Sequence, residues 1–166
     1  MASTITIRPA TTRDAAAIAT IYNPYVTGTI VSFEEAAVPN AEMTRRIEAT
    51  RAAQMPWVVA EIGDAVVGYA YATRWRERAS YRHAAELAVY VDGQRSRQGI
   101  GSALIAALLD RLRAMGMHAV IAGIALPNPG SVALHEKFGF RKVAHFEEVG
   151  HKFGAWVDVG YWELVL

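Results

Sequence analysis

Apolar residues recur along this chain in two spacings, one typical of helices and the other typical of strands. The clearest helical pattern places Leu104, Leu108 and Leu112 on one face of a segment that ends before Gly116. Shorter apolar segments, several of them alternating with polar residues, predict strands. Gly63-Asp64 between two such segments predicts a tight hairpin. The predicted strands cover residues 4–8, 57–62, 66–75, 83–91, 118–125, 140–146 and 156–166.

Helices are predicted between these strands. Thr11 and Asp14 have the spacing of a capping box at the start of the first helix, and Asn40 is expected to cap the second. The predicted helices cover residues 11–25, 40–53, a long segment ending at Met115, and 131–138, with a loop at 28–38. This order predicts a mixed α/β (α+β) fold in which about four helices flank a mostly antiparallel sheet of about seven strands.

The length of 166 residues is typical of one domain, which we expect to cover residues 1–166. The apolar runs are shorter than the ~18 residues that a membrane span needs. The N-terminus also lacks a basic region followed by an apolar signal core. We therefore expect a cytoplasmic protein with no membrane partner.

Composition narrows the chemistry further. The absence of cysteine excludes a disulfide framework, a thiol nucleophile and thiolate metal ligands. A formal net charge of +1 gives no field suited to nucleic acid, so no nucleic-acid partner is expected. His83 and His151 are not at metal-ligand spacing with any pair of carboxylates, and no metal site is expected. Any recognition of an anion must therefore be local.

Residues 89–102 are a candidate anion site. In this stretch an apolar strand leads into a basic loop with Gly99 and Gly101, and the loop opens onto the long helix. Glycine lets a ligand approach the backbone closely, and the first-turn N–H groups of a helix have no partner within it. Arg95 and Arg97 add positive charge. A plain tight turn would also place glycines here, so this motif alone leaves both interpretations open.

Glu86 is an acidic residue inside an otherwise apolar strand. Alternation places Leu87, Val89 and Val91 on one face of the strand and Glu86 with Tyr90 on the other. A carboxylate in the middle of a strand needs water or a partner. A solvated face or an ion pair would satisfy it as well as a catalytic site would.

The 89–102 stretch, the turn from Asn128 to Ser131 and the segment Glu-Lys-Phe-Gly-Phe ending at Phe140 together resemble the GNAT superfamily of acetyl-CoA-dependent N-acetyltransferases. The resemblance covers nearly the whole chain. Further segments are similar to the phosphinothricin and methionine sulfone acetyltransferase subfamily. These are Tyr-Asn at 22–23, Pro-Trp-Val-Val-Ala-Glu at 56–61, Gly-Tyr-Ala-Tyr-Ala at 68–72, Leu-His-Glu at 134–136 and Gly-His-Lys-Phe-Gly-Ala-Trp-Val-Asp-Val-Gly at 150–160.

The resemblance implies that acetyl-CoA is the cosubstrate, bound by the strand, the glycine loop and the 128–131 turn. The backbone of residues 88–90 would pair with the pantetheine arm and direct an N–H at the thioester oxygen. Val89 and Val91 are equally explained as core residues, and Asn128 and Ser131 as helix caps. The implied coenzyme-binding residues are Ala88, Val89, Tyr90, Val91, Arg95, Ser96, Arg97, Gln98, Gly99, Ile100, Gly101, Ser102, Asn128 and Ser131.

One position departs from the family motif. Ser96 stands where the motif has Arg or Gln. Because backbone amides do most of the phosphate binding, we expect a weaker coenzyme affinity at most, with Arg95 or Arg97 compensating.

The resemblance also assigns catalytic residues. Glu86 is implied as the general base that accepts the proton of the substrate ammonium, directly or through water, and partial burial would raise its pKa into a useful range. His135 lies where many members of the superfamily carry a tyrosine that is proposed to protonate the leaving thiolate. Its role stays open between general acid, coenzyme contact and base for the amine.

The substrate end is expected to be formed by Phe33, Glu34, Arg74, Arg76, Arg78, Tyr81, Lys152 and Trp156, which match the subfamily's substrate residues. A guanidinium among Arg74, Arg76 and Arg78 can clamp an anionic group with two hydrogen bonds. A solvated charged turn is the alternative for each arginine taken singly.

These residues predict an N-acetyltransferase that acts on the α-amine of a small amino acid analogue such as phosphinothricin, methionine sulfone or methionine sulfoximine. Direct attack in a ternary complex is expected, since there is no cysteine and no serine in a nucleophile elbow. Acetylation of another small amine or of a protein N-terminus is an alternative, as is a noncatalytic module that senses acyl-CoA. The subfamily resemblance implies a homodimer.

Overall fold

A computed structural model describes residues 4–166. Its strands form one sheet in the order β1-β2-β3-β4-β5-β7-β6, in which every neighbouring pair is antiparallel except β4 and β5. The strands are β1 (Ile5–Pro9), β2 (Trp57–Ile62), β3 (Ala65–Arg74), β4 (Ala84–Val91), β5 (Ala119–Leu126), β6 (Arg141–Lys152) and β7 (Ala155–Val165). The helices are α1 (Ala15–Gly28), α2 (Asn40–Ala52), α3 (Ile100–Ala114) and α4 (Pro129–Lys137). This architecture confirms the predicted fold class.

Helix α3 covers one face of the sheet, as its apolar spacing predicts. Leu104, Leu108 and Leu112 are fully buried, and they pack in one cluster with residues of β2 to β5. The helix ends before Gly116, whose φ of 75° is left-handed and therefore favours glycine. Burying this many large apolar side chains is the main contribution to the stability of that face.

Helices α1 and α2 cover the opposite face. Ile18 and Val26 of α1 and Ile47 of α2 pack against Val59 and Tyr69 of the sheet. Aromatic rings are stacked along this face, with Tyr69 at 5.3 Å from Tyr90 and 5.8 Å from Trp57 between ring centroids. The face that bears Glu86 is thus the aromatic one.

Several predicted boundaries were wrong. The N–H of Thr11 does donate to the Asp14 carboxylate at 2.7 Å, but this box closes a separate turn at Thr12–Asp14, and α1 begins only at Ala15. Asn40 is the first residue of α2 and does not cap it, because Pro39 occupies the N-cap position. Strand β6 continues to Lys152 through an irregular stretch between Phe146 and Gly150, where the alternation that marks a strand is interrupted.

Within residues 4–166, no helix is both long and apolar enough to cross a membrane.

The strands β4 and β5 create the opening on which the site is built. They pair only from Ala84 to Glu86, opposite Ala119 to Ile121. Beyond Glu86, β4 stays paired with β3, whereas β5 follows β7 as far as Leu126 opposite Asp158. The two strands therefore separate at Glu86 and leave backbone groups of β4 facing a gap in the sheet.

Candidate active site

Two adjoining cavities lie at the place where β4 and β5 separate. We call the first the β4–β5 groove. It is lined by Val31, residues 87–90 of β4, residues 122–125 of β5, and Asn128, Ser131 and His135. The second, the Glu86 pocket, has a volume of ≈ 510 Å³ and is lined by Tyr22, residues 31–34, Glu86, Tyr90, Gly123, Ala125, Val159 and Tyr161. The two cavities share Val31, Tyr90, Gly123 and Ala125, so they meet at these four residues.

The glycine loop lies at the N-terminus of α3. Gly99 occupies the N-cap position with φ 81°, a conformation that favours glycine, and α3 begins at Ile100. The loop residues 96–99 are exposed and Arg95 is half-buried. The unpaired N–H groups of the first turn of α3 therefore face an accessible, basic loop, which is the arrangement that an anion needs.

Close packing also explains the glycine at 101, in addition to the predicted approach of a ligand to the backbone. A Cβ at this position would lie 3.0 Å from a methyl carbon of Leu134 and 3.8 Å from Val91 Cγ2, so α3 approaches α4 and β4 closely here. Lys137 of α4 adds a further positive charge, because its Nζ donates to Ser102 Oγ at 3.0 Å in the first turn of α3. Sequence spacing gave no signal for Lys137.

The predicted cap at Asn128 is confirmed. The side-chain Oδ1 of Asn128 accepts a hydrogen bond from the N–H of Ser131 at 3.2 Å, which starts α4. On β4, Val89 and Val91 pack against the core below α3, as alternation predicts. The role of these four residues in coenzyme binding stays a prediction, although Asn128, Ser131 and Val89 line the β4–β5 groove.

His135 is buried in the wall of the β4–β5 groove. Its Nδ1 lies 2.7 Å from the carbonyl oxygen of Ser131, and its ring meets Phe140 edge-on at 5.4 Å. A carbonyl oxygen can only accept, so Nδ1 carries the proton and Nε2 of the neutral ring is an acceptor. Burial lowers the pKa of His135, against a smaller opposing effect of the bond to Ser131, and this favours the neutral ring.

Glu86 is half-buried and faces the Glu86 pocket. Its carboxylate lies close to Gly123, where an added Cβ would be 3.6 Å from Oε1. No hydrogen bond or ion pair engages this carboxylate among residues 4–166. Burial raises the pKa of Glu86, and the positive charge of Arg76 partly opposes that shift. An unpaired carboxylate with a raised pKa has the properties of a general base.

Glu34 and Phe33 belong to the wall of the Glu86 pocket. The Glu34 carboxylate accepts two hydrogen bonds from Arg46, at 2.6 and 2.9 Å, and another from the hydroxyl of Tyr22. The bonds from Arg46 lower the pKa of Glu34 despite its partial burial. Phe33 is 44% exposed and lies over Gly150. The charge of Glu34 is thus already paired, which leaves Glu86 as the free carboxylate of the pocket.

The three arginines expected at the substrate end, Arg74, Arg76 and Arg78, differ in which cavities they line. Arg74, Arg76, Arg78 and Tyr81 line a surface cavity of ≈ 550 Å³ beside Trp75. Among them, Arg76 also reaches an apolar cavity that adjoins the Glu86 pocket through Phe33, Val159 and Tyr161. Its guanidinium carbon lies 4.1 Å from the ring centroid of Trp75. Arg76 is therefore the arginine best placed to meet a molecule in the Glu86 pocket.

Lys152 and Trp156 do not line the Glu86 pocket. Lys152 is 3% exposed, and its Nζ donates to the carbonyl oxygens of Val26 at 2.6 Å and Ser32 at 2.5 Å. The expected substrate contact of Lys152 is corrected to a contact with the backbone, because the ammonium points into the protein. Trp156 is 65% exposed and packs edge-on against His151, away from the pocket.

Several lining residues were missed by sequence reasoning. Gly123 was detectable, because a glycine inside a strand often marks a close approach. Tyr22 stands in the Tyr-Asn segment at 22–23, to which the family resemblance assigns no role. The remaining missed residues of the Glu86 pocket are Val31, Ser32, Ala125, Val159 and Tyr161, which are ordinary side chains brought together by the fold.

Comparison with known proteins was decisive for the family. The model of the acetyltransferase (GNAT) domain matches residues 7–160. The phosphinothricin N-acetyltransferase of Streptomyces viridochromogenes is 38% identical over 159 residues, which are 96% of this chain and 86% of that protein. This chain belongs to the GNAT acetyltransferase family.

Two further relatives agree with this assignment. The L-methionine sulfoximine/L-methionine sulfone acetyltransferase of Salmonella typhimurium is 35% identical, over 98% of this chain and 95% of that protein. The crystal structure of a GNAT superfamily phosphinothricin acetyltransferase from Sinorhizobium meliloti in complex with AcCoA superimposes with a TM-score of 0.94 at 34% identity, over 100% of this chain and 89% of the other. The predicted family, fold and enzyme class, an acetyl-CoA-dependent N-acetyltransferase, are confirmed.

Proposed function

We propose that this protein transfers the acetyl group of acetyl-CoA to the α-amine of a small amino acid analogue of the phosphinothricin, methionine sulfone or methionine sulfoximine type. The observation that carries the proposal is the free Glu86 carboxylate at the point where β4 and β5 separate, facing a pocket that shares four lining residues with the β4–β5 groove. The names of the relatives support the substrate class.

The two substrates approach from opposite sides of the place where the two cavities meet. The diphosphate of acetyl-CoA binds at the first turn of α3, and the pantetheine arm lies in the β4–β5 groove beside β4, like an added strand. The thioester then reaches this place at Gly123, which has no side chain to obstruct it. The amine of the acceptor meets the thioester there from the Glu86 pocket.

Bond formation proceeds in one ternary complex. Glu86 removes a proton from the acceptor ammonium, and the free amine attacks the thioester carbonyl carbon. The oxyanion that forms is stabilised by a backbone N–H of β4 on the side that lacks pairing with β5. Collapse forms the amide, breaks the C–S bond and releases the thiolate, while the second amine proton is lost. The net products are the N-acetyl compound, coenzyme A and one proton.

His135 fits an accepting role better than a donating one. Neutral His135 presents Nε2 without a hydrogen, and its lowered pKa keeps it in that form near neutral pH. It therefore accepts a hydrogen bond from the coenzyme or from water at the groove. The alternative of a general acid for the thiolate requires the imidazolium, which burial disfavours.

The proposal extends to a cytoplasmic homodimer. The support is strand β6, an edge strand on which Val143, Phe146 and Val149 are exposed. Contiguous exposed apolar side chains on a sheet edge are typical of an interface. Sedimentation equilibrium of the wild type and of Phe146→Glu tests this part. A dimer that the substitution dissociates supports it, and a monomeric wild type at micromolar concentration rejects it.

The function is tested by measuring free thiol released from acetyl-CoA across a panel of acceptors. Phosphinothricin, methionine sulfone and methionine sulfoximine are expected to be the best acceptors, with their N-acetyl forms as controls that have no free amine. If only uncharged amines or peptide N-termini are acetylated, the proposed substrate class is wrong and that acceptor class takes its place. Binding of acetyl-CoA without turnover of any amine would point to a sensing module.

A further inference from the structure

We propose that Lys152 is a positioning residue for the acceptor, because its buried ammonium holds the loop between α1 and α2 in the place where that loop forms a wall of the Glu86 pocket. The inference rests on the proposed function, since it concerns binding of the acceptor amine. It assigns Lys152 a role that involves no contact with the substrate.

The first observation is the pair of hydrogen bonds made by the buried ammonium of Lys152. Its ammonium donates to the carbonyl oxygens of Val26 and Ser32, and the ring of Phe153 lies 5.0 Å away. Lys152 is 3% exposed, so its ammonium is shielded from the solvent water that usually surrounds a lysine. A buried cation is costly without hydrogen-bond partners, and removal of this one leaves two carbonyl oxygens without the donor that they have here.

The second observation concerns where those carbonyls are. Val26 lies in the last turn of α1, where carbonyl groups have no partner inside the helix and where a positive charge is favourable. Ser32 lies four residues beyond the end of that helix. Lys152 therefore binds the helix end and the loop together, and fixes the direction in which the chain leaves α1.

From Ser32 the contact continues into the pocket wall through short hydrogen bonds. The Ser32 hydroxyl lies 2.7 Å from the hydroxyl of Tyr22 and accepts from the N–H of Glu34 at 3.1 Å. Tyr22 in turn bonds the Glu34 carboxylate, which Arg46 holds from α2. Tyr22, Ser32 and Glu34 all line the Glu86 pocket. A displaced Ser32 would disturb each of these bonds.

Strand β6 contacts the loop between α1 and α2 at a second point. Phe33 lies directly over Gly150, where an added Cβ would be 2.4 Å from the Phe33 ring. Gly150 is two residues before Lys152 on β6, so this short stretch of β6 contacts both the backbone at Ser32 and the side chain at Phe33. The loop's position against β6 thus depends on a buried lysine and on the absence of a side chain at 150.

A purely structural lysine and a positioning lysine differ in what their loss changes. A purely structural role predicts lower thermal stability with unchanged Michaelis constants in the molecules that stay folded. A positioning role predicts a raised KM for the acceptor with a nearly unchanged KM for acetyl-CoA, because apart from Val31 the lining of the β4–β5 groove lies on β4, β5 and the segment 128–135. A change in the KM for the acceptor without a change in the KM for acetyl-CoA therefore distinguishes a positioning role from a purely structural one.

The test compares Lys152→Met with Lys142→Met, an exposed lysine of the same strand, in steady-state assays that vary each substrate in turn. Methionine keeps most of the length of lysine but has no donor. For Lys152→Met we expect a KM for phosphinothricin raised about tenfold or more, a KM for acetyl-CoA within about twofold of the wild type, and a coenzyme-induced thermal shift that is retained. For Lys142→Met we expect both constants to stay at the wild-type values.

Gly150→Ala keeps the inference falsifiable if Lys152→Met does not fold. Its φ is not positive, so alanine fits the backbone, but the Phe33 ring must move. We expect the same selective rise in the KM for the acceptor. Unchanged acceptor KM in folded Lys152→Met or in folded Gly150→Ala overturns the inference while wild-type turnover leaves the proposed function intact. Absence of turnover by the wild type would instead reject the proposed function itself.

Discussion

The two cavities of the site are constructed in different ways. In the coenzyme region that we propose, the β4–β5 groove and the first turn of α3 offer unpaired backbone groups, with glycine at 99, 101 and 123. The Glu86 pocket consists largely of side chains from α1, the α1–α2 loop, β4, β5 and β7. A backbone site recognises what every acyl-CoA shares, whereas a side-chain site can be altered one residue at a time. The difference explains how one family can keep its cosubstrate while its acceptors vary.

The largest expected effect comes from Glu86, which lies at the boundary of the two cavities. Glu86→Gln should lower kcat by about a hundredfold or more, since general base catalysis typically contributes ~10²–10⁴. Burial raises the pKa of Glu86, and the ionised form is the active one, so wild-type kcat/KM should fall as the pH drops through that raised pKa. The variant should lose this acidic limb.

Glu48→Gln on the exposed face of α2 is the matched control, and it should leave the profile unchanged. Coenzyme-induced thermal shifts should be the same in all three proteins. Retention of both the acidic limb and full activity by Glu86→Gln would assign the base elsewhere, with His135 as the next candidate.

The second effect concerns the backbone N–H groups in the first turn of α3. Gly101→Val should abolish the thermal stabilisation by coenzyme A, because a side chain here obstructs the first turn of α3 and displaces Leu134. Gly93→Ala is the control, since a Cβ at residue 93 meets nothing within 4 Å. A folded Gly101→Val that keeps the wild-type shift would reject the coenzyme site at α3.

A smaller effect is expected at the rim of the Glu86 pocket. Arg76→Gln should raise the KM for phosphinothricin or methionine sulfone about tenfold, through loss of a charge-assisted hydrogen bond, and leave the KM for acetyl-CoA unchanged. Arg74→Gln and Arg78→Gln should have weaker effects, because these arginines line only the outer cavity among the cavities described. Equal KM values for the three variants and the wild type would contradict this assignment.

An esterified acceptor sharpens the same comparison. It lacks the carboxylate charge, so the wild type should use it poorly and Arg76→Gln should use it no worse. A further loss of activity on the ester in Arg76→Gln would show that Arg76 acts by some means other than anion recognition.

Asp14 lines neither cavity, so its substitution is expected to change stability and not catalysis. Arg8 donates two hydrogen bonds of 2.8 Å to its carboxylate and lowers the pKa of Asp14. A lowered folded-state pKa stabilises the protein above the unfolded pKa, and this contribution is lost as the pH falls through the folded value. Asp14→Asn should therefore lower stability at pH 7 and lose its effect in acid, with both Michaelis constants unchanged. Denaturant titrations at the two pH values measure this.

The same contrast between backbone and side chains explains how far the sequence could predict the site. Gly99 has a left-handed conformation at the N-cap of α3, and Asn128 caps α4 with its side chain, so their neighbours in the chain are enough to predict them. Glu86 was detectable because an acid in an apolar strand is unusual. By contrast, Lys152 was expected to contact substrate because it matches the subfamily's substrate residues. Nothing near it in the chain shows that its ammonium meets Val26 and Ser32, more than a hundred residues away.

The fold shows the same limit. The length of α3 follows from its apolar spacing, whereas α1 continues past Tyr25 to Gly28. Its last carbonyl groups are bonded by Thr29, at 2.8 Å from Tyr25 O, and by the distant Lys152. A contact that stabilises a helix end from another part of the chain leaves no local pattern, so the predicted end came too early.

The central claim is that the acetyl group passes directly through the opening between the β4–β5 groove and the Glu86 pocket, with both cavities occupied at once. Initial rates measured over a grid of acetyl-CoA and phosphinothricin concentrations test it most directly. Double-reciprocal lines that intersect are the predicted result, because both substrates must be bound before any product leaves. Parallel lines, together with an acetylated protein detected by mass spectrometry after incubation with acetyl-CoA alone, would show an acyl-enzyme and contradict the account.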